Sequence, residues 1–300
     1  MTTLLTARDL SVSFRYGNTT SHVVRGVSLD IAEKSVFAVL GESGSGKTML
    51  ARTLIGLEPA GAIVDGSVAF ADIPVRPGKP AVRRRLLGRE IGLVSQDPAA
   101  SLDAMRTVGA QLAEVLRRHE GLDRRACRAE AVRRLEQVHI RHPEQVVRRY
   151  PAELSGGMRQ RVSIALALCG RPRLLIADEP SSALDAIVGA RVIDLLDELR
   201  STTGTSIVLI THDIGVATRI AGEPGDRVAV MLHGRFVEYG PATEVLHRPR
   251  HPYTASLLAG EPSAAIPRGQ LATVPPGLRD ADWGPLQRIS DDHWICEEAV

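Results

Sequence analysis

Eight residues in this chain have the types and spacing to hold a phosphate. Gly41-Glu42-Ser43-Gly44-Ser45-Gly46-Lys47-Thr48 follows the pattern G-x-x-x-x-G-K-[ST]. In such a loop Gly41, Gly44 and Gly46, with Ser43 between them, let the backbone curl so that its N–H groups point inward around the phosphates. Lys47 then sets a point charge on the β- and γ-phosphates, and the Thr48 hydroxyl is a ligand for Mg²⁺. A nucleoside triphosphate is the implied ligand. The plainer alternative, a Gly/Ser turn with a stray lysine, is judged by the flanks. Before the loop, Ser35-Val36-Phe37-Ala38-Val39-Leu40 is an apolar run suited to a buried strand. After it, Leu50, Thr53, Leu54 and Leu57 recur at helical spacing. Strand, loop and helix are the setting the motif requires.

Further residues suit the same chemistry. Leu174-Leu175-Ile176-Ala177 predicts a buried strand that delivers Asp178 and Glu179 at its tip. Paired carboxylates there suit Mg²⁺ coordination and general-base work, whereas without the phosphate loop they would read as acids capping a turn before Pro180. His212 ends another short strand, Ile207 to Ile210, and is either a lone surface histidine or a sensor of the γ-phosphate. Ser155 is a good N-cap, and Gly156 and Gly157 behind it leave the helix-start amides approachable to an anion. Tyr16 is a surface aromatic or a platform for an adenine ring, and its position favours neither.

The elements that must carry these residues alternate between strand and helix. Leu10, Val12 and Phe14 alternate, and Val23 to Ile31 continues after a polar turn, which predicts an antiparallel β layer feeding the loop strand. Gly66 to Phe70 and Ile91 to Ser95 predict two more strands. From about Thr107 to Val138 the sequence predicts a helical insertion, and Pro143 can open a short helix that ends near Tyr150-Pro151. Val228 to Leu232 and Arg235 to Tyr239 predict a hairpin turning at His233-Gly234. Beyond about Arg248 prolines and glycines rise and periodicity fades, which predicts an appendage with little core of its own.

Composition narrows the class. A chain of 300 residues with 44% hydrophobic content can bury one large α/β domain or two smaller ones. A net charge of +2 does not single out nucleic acid or a membrane as a partner, and Arg83-Arg84-Arg85 reads as a solvated helix face, because few aromatics accompany it. The three cysteines, Cys127, Cys169 and Cys296, are widely separated, which argues for a reducing compartment and against a zinc site. Neither a signal peptide nor an apolar run near the roughly 18 residues of a membrane span is expected.

The order of these pieces resembles the ATP-binding cassette (ABC) family. The likeness rests on the loop at Gly41 to Thr48, Gln96 after its strand, the stretch Leu154-Ser155-Gly156-Gly157, the acidic strand end Asp178-Glu179, and His212. Met158-Arg159-Gln160-Arg161 and Arg248-Pro249-Arg250-His251-Pro252-Tyr253-Thr254 narrow it to the ATPase subunits of oligopeptide, dipeptide and nickel importers. The resemblance implies an α/β P-loop NTPase fold: an antiparallel β subdomain, a RecA-like core, a helical subdomain and a C-terminal extension. The expected divisions are 1–97 for the β layer and first core part, 98–155 for the helical subdomain, 156–247 for the second core part and 248–300 for the extension.

By the same resemblance Tyr16 stacks on adenine, while Gly41, Ser43, Gly44, Gly46 and Lys47 hold the phosphates. Thr48, Gln96 and Asp178 hold Mg²⁺, Glu179 polarises the attacking water, and His212 meets the γ-phosphate. Ser155, Gly156, Gly157 and Asp185 serve a nucleotide held by an opposite subunit, so a cassette dimer is implied, a heterodimer more than a homodimer. The implied cofactors are ATP and Mg²⁺. With only Cys296 in the extension, no iron-sulfur cluster is expected. The implied partners are a second ATPase subunit, two permease subunits and, indirectly, an extracytoplasmic solute-binding protein, at the cytoplasmic face of the membrane. No nucleic acid is among them. The implied cargo is a di- or oligopeptide, or a related solute such as nickel or a metal chelate. The alternative is a cassette ATPase with a role outside transport.

Overall fold

The computed structural model describes residues 2–76, 80–260, 274–281 and 283–298. The chain divides into two compact units, Met1–Gly78 with Val208–Val300, and Lys79–Ile207.

In the first unit β1 (Thr3–Tyr16) and β2 (Thr19–Ala32) form a long antiparallel hairpin that closes at Tyr16↔Thr19. Leu5, Ala7, Leu10 and Val12 of β1 are fully buried, two alternating pairs separated by the irregularity between Ala7 and Leu10. All five residues of β3 (Val36–Leu40) are buried, and α1 (Lys47–Leu54) follows the phosphate loop. β4 (Ala62–Phe70) and β5 (Ile73–Arg76) complete a four-stranded sheet in the order β2-β1-β4-β5, with every pairing antiparallel. This is the expected β layer.

The second unit runs through α2 (Pro80–Leu86), β6 (Ile91–Val94), α3 (Pro98–Ser101), α4 (Val108–Glu120), α5 (Arg124–Gln137), α6 (Pro143–Val146), α7 (Gly156–Leu168), β7 (Leu174–Asp178) and α8 (Ala186–Thr203). β6 and β7 are parallel neighbours from Ile91↔Leu174 to Val94↔Ala177, so their C-terminal ends lie side by side. The predicted helical stretch 107–138 is two helices. Gly121 adopts φ 67 as the C-cap of α4, a left-handed conformation that glycine takes without Cβ strain. Asp123 then starts α5 by accepting the Ala126 N–H at 2.8 Å. Arg134 of α5, almost fully buried, pairs with Glu120 at 2.5 Å and Glu130 at 3.0 Å, so its charge is compensated where it is desolvated.

β8 (Ser206–Ile210), buried throughout, carries the chain back to the first unit. There follow α9 (Ile214–Ile220), β9 (Arg227–Leu232), β10 (Arg235–Pro241), α10 (Ala242–His247), α11 (Pro252–Ala259), α12 (Pro276–Asp280), β11 (Trp283–Ser290) and β12 (His293–Glu298). Within this unit β3 pairs in parallel with β9, and the order continues β9-β10-β12-β11 with antiparallel pairings, which makes a mixed sheet. The predicted hairpin at His233-Gly234 is present, with φ 46 and 86 at its two turn residues.

The end of the chain holds more regular structure than its fading periodicity suggests. Residues 261–273 of the expected extension lie outside the described residues. Beyond them, β11 and β12 continue the mixed sheet from β10, and Trp283, His293 and Cys296 are buried. This segment takes its core from β10. Glu238 of β10, fully buried, accepts hydrogen bonds from His293 Nε2 at 2.8 Å and from the backbone N–H groups of Arg250 and His251 at 2.9 and 3.1 Å. One buried carboxylate thus ties three parts of the C-terminal region together, a long-range device that leaves no periodic trace in the sequence.

Candidate functional site

The candidate residues fall into two sets, one in each unit. The first is built on the loop between β3 and α1. Its backbone takes φ 150 at Gly41, 83 at Gly44 and 104 at Gly46. A Cβ on Gly41 would press on the Met231 carbonyl, and one on Gly46 would stand 2.5 Å from the Val23 carbonyl oxygen. Glycine is required here both for dihedral angle and for space. No side chain caps α1 at Gly46, so the start of the helix is left to its amides, an arrangement that favours an anion. Lys47 is buried, and its Nζ donates to the carbonyl oxygens of Gly41 and Glu42 at 2.7 and 2.8 Å. The ammonium is thereby held inside the curl of the loop. The turn of the β9–β10 hairpin braces the loop from outside, where Gly234 N–H donates to the Ser45 carbonyl at 2.9 Å.

Ser43 and Gly44 are exposed at the loop crest, and Thr48 is half-buried in the first turn of α1. Tyr16, 67% exposed, ends β1 with its ring 6.4 Å from that of Phe14. His212 is exposed just beyond β8, where the Thr211 N–H donates to the Val39 carbonyl at 3.1 Å and fixes the strand end against β3. Asp213 beside it caps α9 by accepting the Val216 N–H at 3.0 Å.

The second set lies at the paired ends of β6 and β7. Asp178, buried, is the last residue of β7. Glu179 follows in the left-handed region at φ 47, costly for a residue with a Cβ and held by a turn in which Ser182 donates to the Glu179 carbonyl through both its N–H and its hydroxyl. Gln96, two residues beyond the end of β6, donates from Nε2 to Glu179 Oε2 at 3.1 Å. Two residues 83 apart in sequence are therefore partners. Ser155 caps α7 by accepting the Met158 N–H at 3.3 Å, and Asp185 caps α8 by accepting the Val188 N–H at 3.0 Å. Gly157 sits so close to α8 that a Cβ there would stand 2.5 Å from Val188 Cγ1. Ser155, Gly156, Gly157 and Asp185 all line one cavity of about 670 Å³.

That cavity adds residues the motif reading did not reach. Arg161 and Arg191 line it beside His142. Burial first, and then the neighbouring Arg191 charge, lower the Arg161 pKa, and its guanidinium donates to the Val138 and His139 carbonyls at 3.3 and 3.0 Å. Arg161 lies within Met158-Arg159-Gln160-Arg161, which marks the subclass but assigns no role to its side chains. Glu42 is another such residue: it occupies an unspecified position of the loop pattern, yet its carboxylate pairs with Arg279 of α12.

Residues 24–182 match the family described as ABC transporter. The chain is 40% identical over 279 residues to the oligopeptide transport ATP-binding protein OppD of Bacillus subtilis (strain 168), covering 92% of this chain and 77% of that one. It is 41% identical over 274 residues to the oligopeptide transport ATP-binding protein AmiE of Streptococcus pneumoniae serotype 4 (91% and 76%). The dipeptide transport ATP-binding protein DppD of Bacillus subtilis is 38% identical over 283 residues (93% and 83%). Among solved structures, the fold is similar to the post-hydrolysis dimer of the ATP-binding cassette MJ0796 with ADP and Pi, at TM-score 0.70 and 24% identity over 80% of this chain and 99% of that one. The α/β cassette fold that the sequence implies is thus the fold found, and the chain belongs to the ABC transporter family.

Proposed function

We propose that this chain is the ATP-binding and ATP-hydrolysing subunit of an importer for di- or oligopeptides or a chemically related small solute. The observation that carries the reading is the Gln96–Glu179 pair at the tips of β6 and β7, in a chain whose glycine loop also holds a buried lysine. The relatives named above are transport subunits, which favours transport over a cassette role elsewhere. Peptide is preferred to nickel or a metal chelate on the same ground.

In this reading the loop amides and Lys47 bind the phosphates, Tyr16 stacks on the base, and His212 contacts the γ-phosphate. Thr48, Gln96 and Asp178 hold Mg²⁺. Hydroxyl, amide and carboxylate oxygens are hard donors that suit this ion, which keeps water and phosphate ligands and does not need an all-protein cage. When bound, it neutralises charge on the phosphates. Glu179 orients and polarises the attacking water, and its hydrogen bond from Gln96 keeps the carboxylate aimed. Phosphoryl transfer to water depends on positioning and charge stabilisation, which these residues would supply together with a helix start from a second cassette.

The Ser155–Gly157 helix start and Asp185 are offered to a nucleotide held by a second cassette, a heterodimer being preferred. ATP buried between two cassettes favours closure, and hydrolysis favours release. Among the described residues no helix is long and apolar enough to cross a membrane, so the work would pass to two permease subunits, with the chain peripheral at the cytoplasmic face and a solute-binding protein acting indirectly. Purifying the complex tests this: a permease pair and an ATPase partner co-purify, and peptide-loaded binding protein stimulates hydrolysis. Isolation of a stable chain that binds ATP and captures no permease would overturn the transport assignment.

A further inference from the structure

Glu42 occupies the second position of the phosphate loop, and its carbonyl is one of the two that hold Lys47 Nζ. Its carboxylate pairs with the guanidinium of Arg279 in α12, 237 residues away in sequence. The same residue of α12 makes a second link to the loop. The Arg279 carbonyl accepts from His233 Nε2 at 2.9 Å, and Gly234, next in that turn, donates its N–H to the Ser45 carbonyl at 2.9 Å. One residue of the C-terminal segment is therefore joined to both ends of the Glu42–Ser45 crest, once by an ion pair and once through the hairpin turn.

The segment is itself anchored. Trp283, buried just after α12, donates from Nε1 to the Leu278 carbonyl at 3.2 Å, and its own carbonyl accepts from Arg235 of β10 at 2.7 Å. Tyr253 of α11 is fully buried, and burial first, followed by the Glu42 charge, pushes its pKa up to about 12. Electrostatics supplies the reason for the pairing. A carboxylate on a phosphate-binding loop repels the ligand unless a cation compensates it, and Arg279 is that cation.

We propose that Arg279 is a positioning residue for nucleotide binding: it neutralises Glu42 and ties the crest of the phosphate loop to the C-terminal segment. The proposal rests on the loop being the nucleotide site. Its test is a cycle of the full-length wild type, Arg279→Ala, Glu42→Gln and the double variant, titrated with a fluorescent ATP analogue and Mg²⁺, with the ATPase KM and kcat read in the assembled complex. Arg279→Ala should weaken ATP binding and raise KM about five- to tenfold with kcat changed less than twofold. In the Glu42→Gln background the same substitution should change affinity less than twofold, because no carboxylate then remains to be compensated. Arg279→Lys should recover most of the wild-type affinity. If Arg279→Ala lowers Tm and affinity equally in both backgrounds, or leaves affinity unchanged, the proposal is wrong while the loop assignment stands. If the wild type binds no nucleotide, both fall.

Discussion

Replacing Gly46 by alanine tests whether the phosphate loop is built as described. Gly46 sits at φ 104 and ψ 1, where a Cβ costs about 1–3 kcal/mol. The added methyl would also stand 2.5 Å from the Val23 carbonyl oxygen and 3.1 Å from Met231 Cε, and the first contact is with backbone that cannot swing aside. Overpacking of this kind adds about 1–3 kcal/mol. The loop can escape by shifting, in which case the cost appears as lost affinity. At the low end, about 2 kcal/mol corresponds to roughly 30-fold weaker ATP binding. Gly44→Ala is the internal control, because Gly44 also has a positive φ, 83, but open space where a Cβ would go, leaving only about 1–2 kcal/mol of strain. Urea denaturation and titration with a fluorescent ATP analogue, on the same preparations, separate stability from affinity. Should Gly46→Ala bind ATP within threefold of wild type and keep its urea midpoint, the described loop conformation is not the one that binds nucleotide.

Gln96→Ala removes the hydrogen bond that aims Glu179, and kcat in the complex should fall about 10- to 100-fold with a smaller change in ATP affinity, as a rapid-quench assay can show. Asp185→Ala should cost about 1 kcal/mol by uncapping α8, whereas Asp185→Asn keeps the cap, so an ATPase defect in Asp185→Asn at unchanged Tm reports a role beyond the helix. His251, buried, has its pKa lowered from 6.5 to about 4, by burial against the opposing pull of Glu238. The folded state therefore resists protonation there. The stability this contributes is complete above pH 6.5 and is lost as pH falls through 6.5 toward 4, by up to about 3 kcal/mol. His251→Asn, which can still accept the Tyr253 N–H, should flatten the dependence of the urea midpoint on pH across that window.

Local chemistry was readable from sequence wherever it is carried by neighbours in the chain. The strand–loop–helix around Lys47, the cap at Ser155 and the hairpin at His233-Gly234 follow from apolar runs, glycine placement and turn residues. Distant pairing was not readable. Nothing adjacent to Glu42 announces Arg279, and nothing near Glu238 announces His293, because each pair is made by the fold across many residues. The helix break is carried by Gly121 and Asp123, a glycine stop followed by an N-cap residue, signals that a uniformly Arg-, Ala- and Glu-rich stretch makes easy to overlook. The C-terminal strands were missed for a related reason: their core is supplied by β10, so their own sequence shows little periodicity.

The central claim is that Glu179 activates water at a nucleotide shared by two cassettes, and Glu179→Gln in the assembled complex tests it most directly. The amide keeps the size of the side chain and removes the base. ATP binding should persist near the wild-type affinity, steady-state hydrolysis should fall by at least about 100-fold, and size-exclusion chromatography in ATP of the variant with its ATPase partner, free of permeases, should show a trapped cassette dimer. Near-normal turnover by Glu179→Gln, or loss of turnover with no ATP-dependent dimer, would contradict the account.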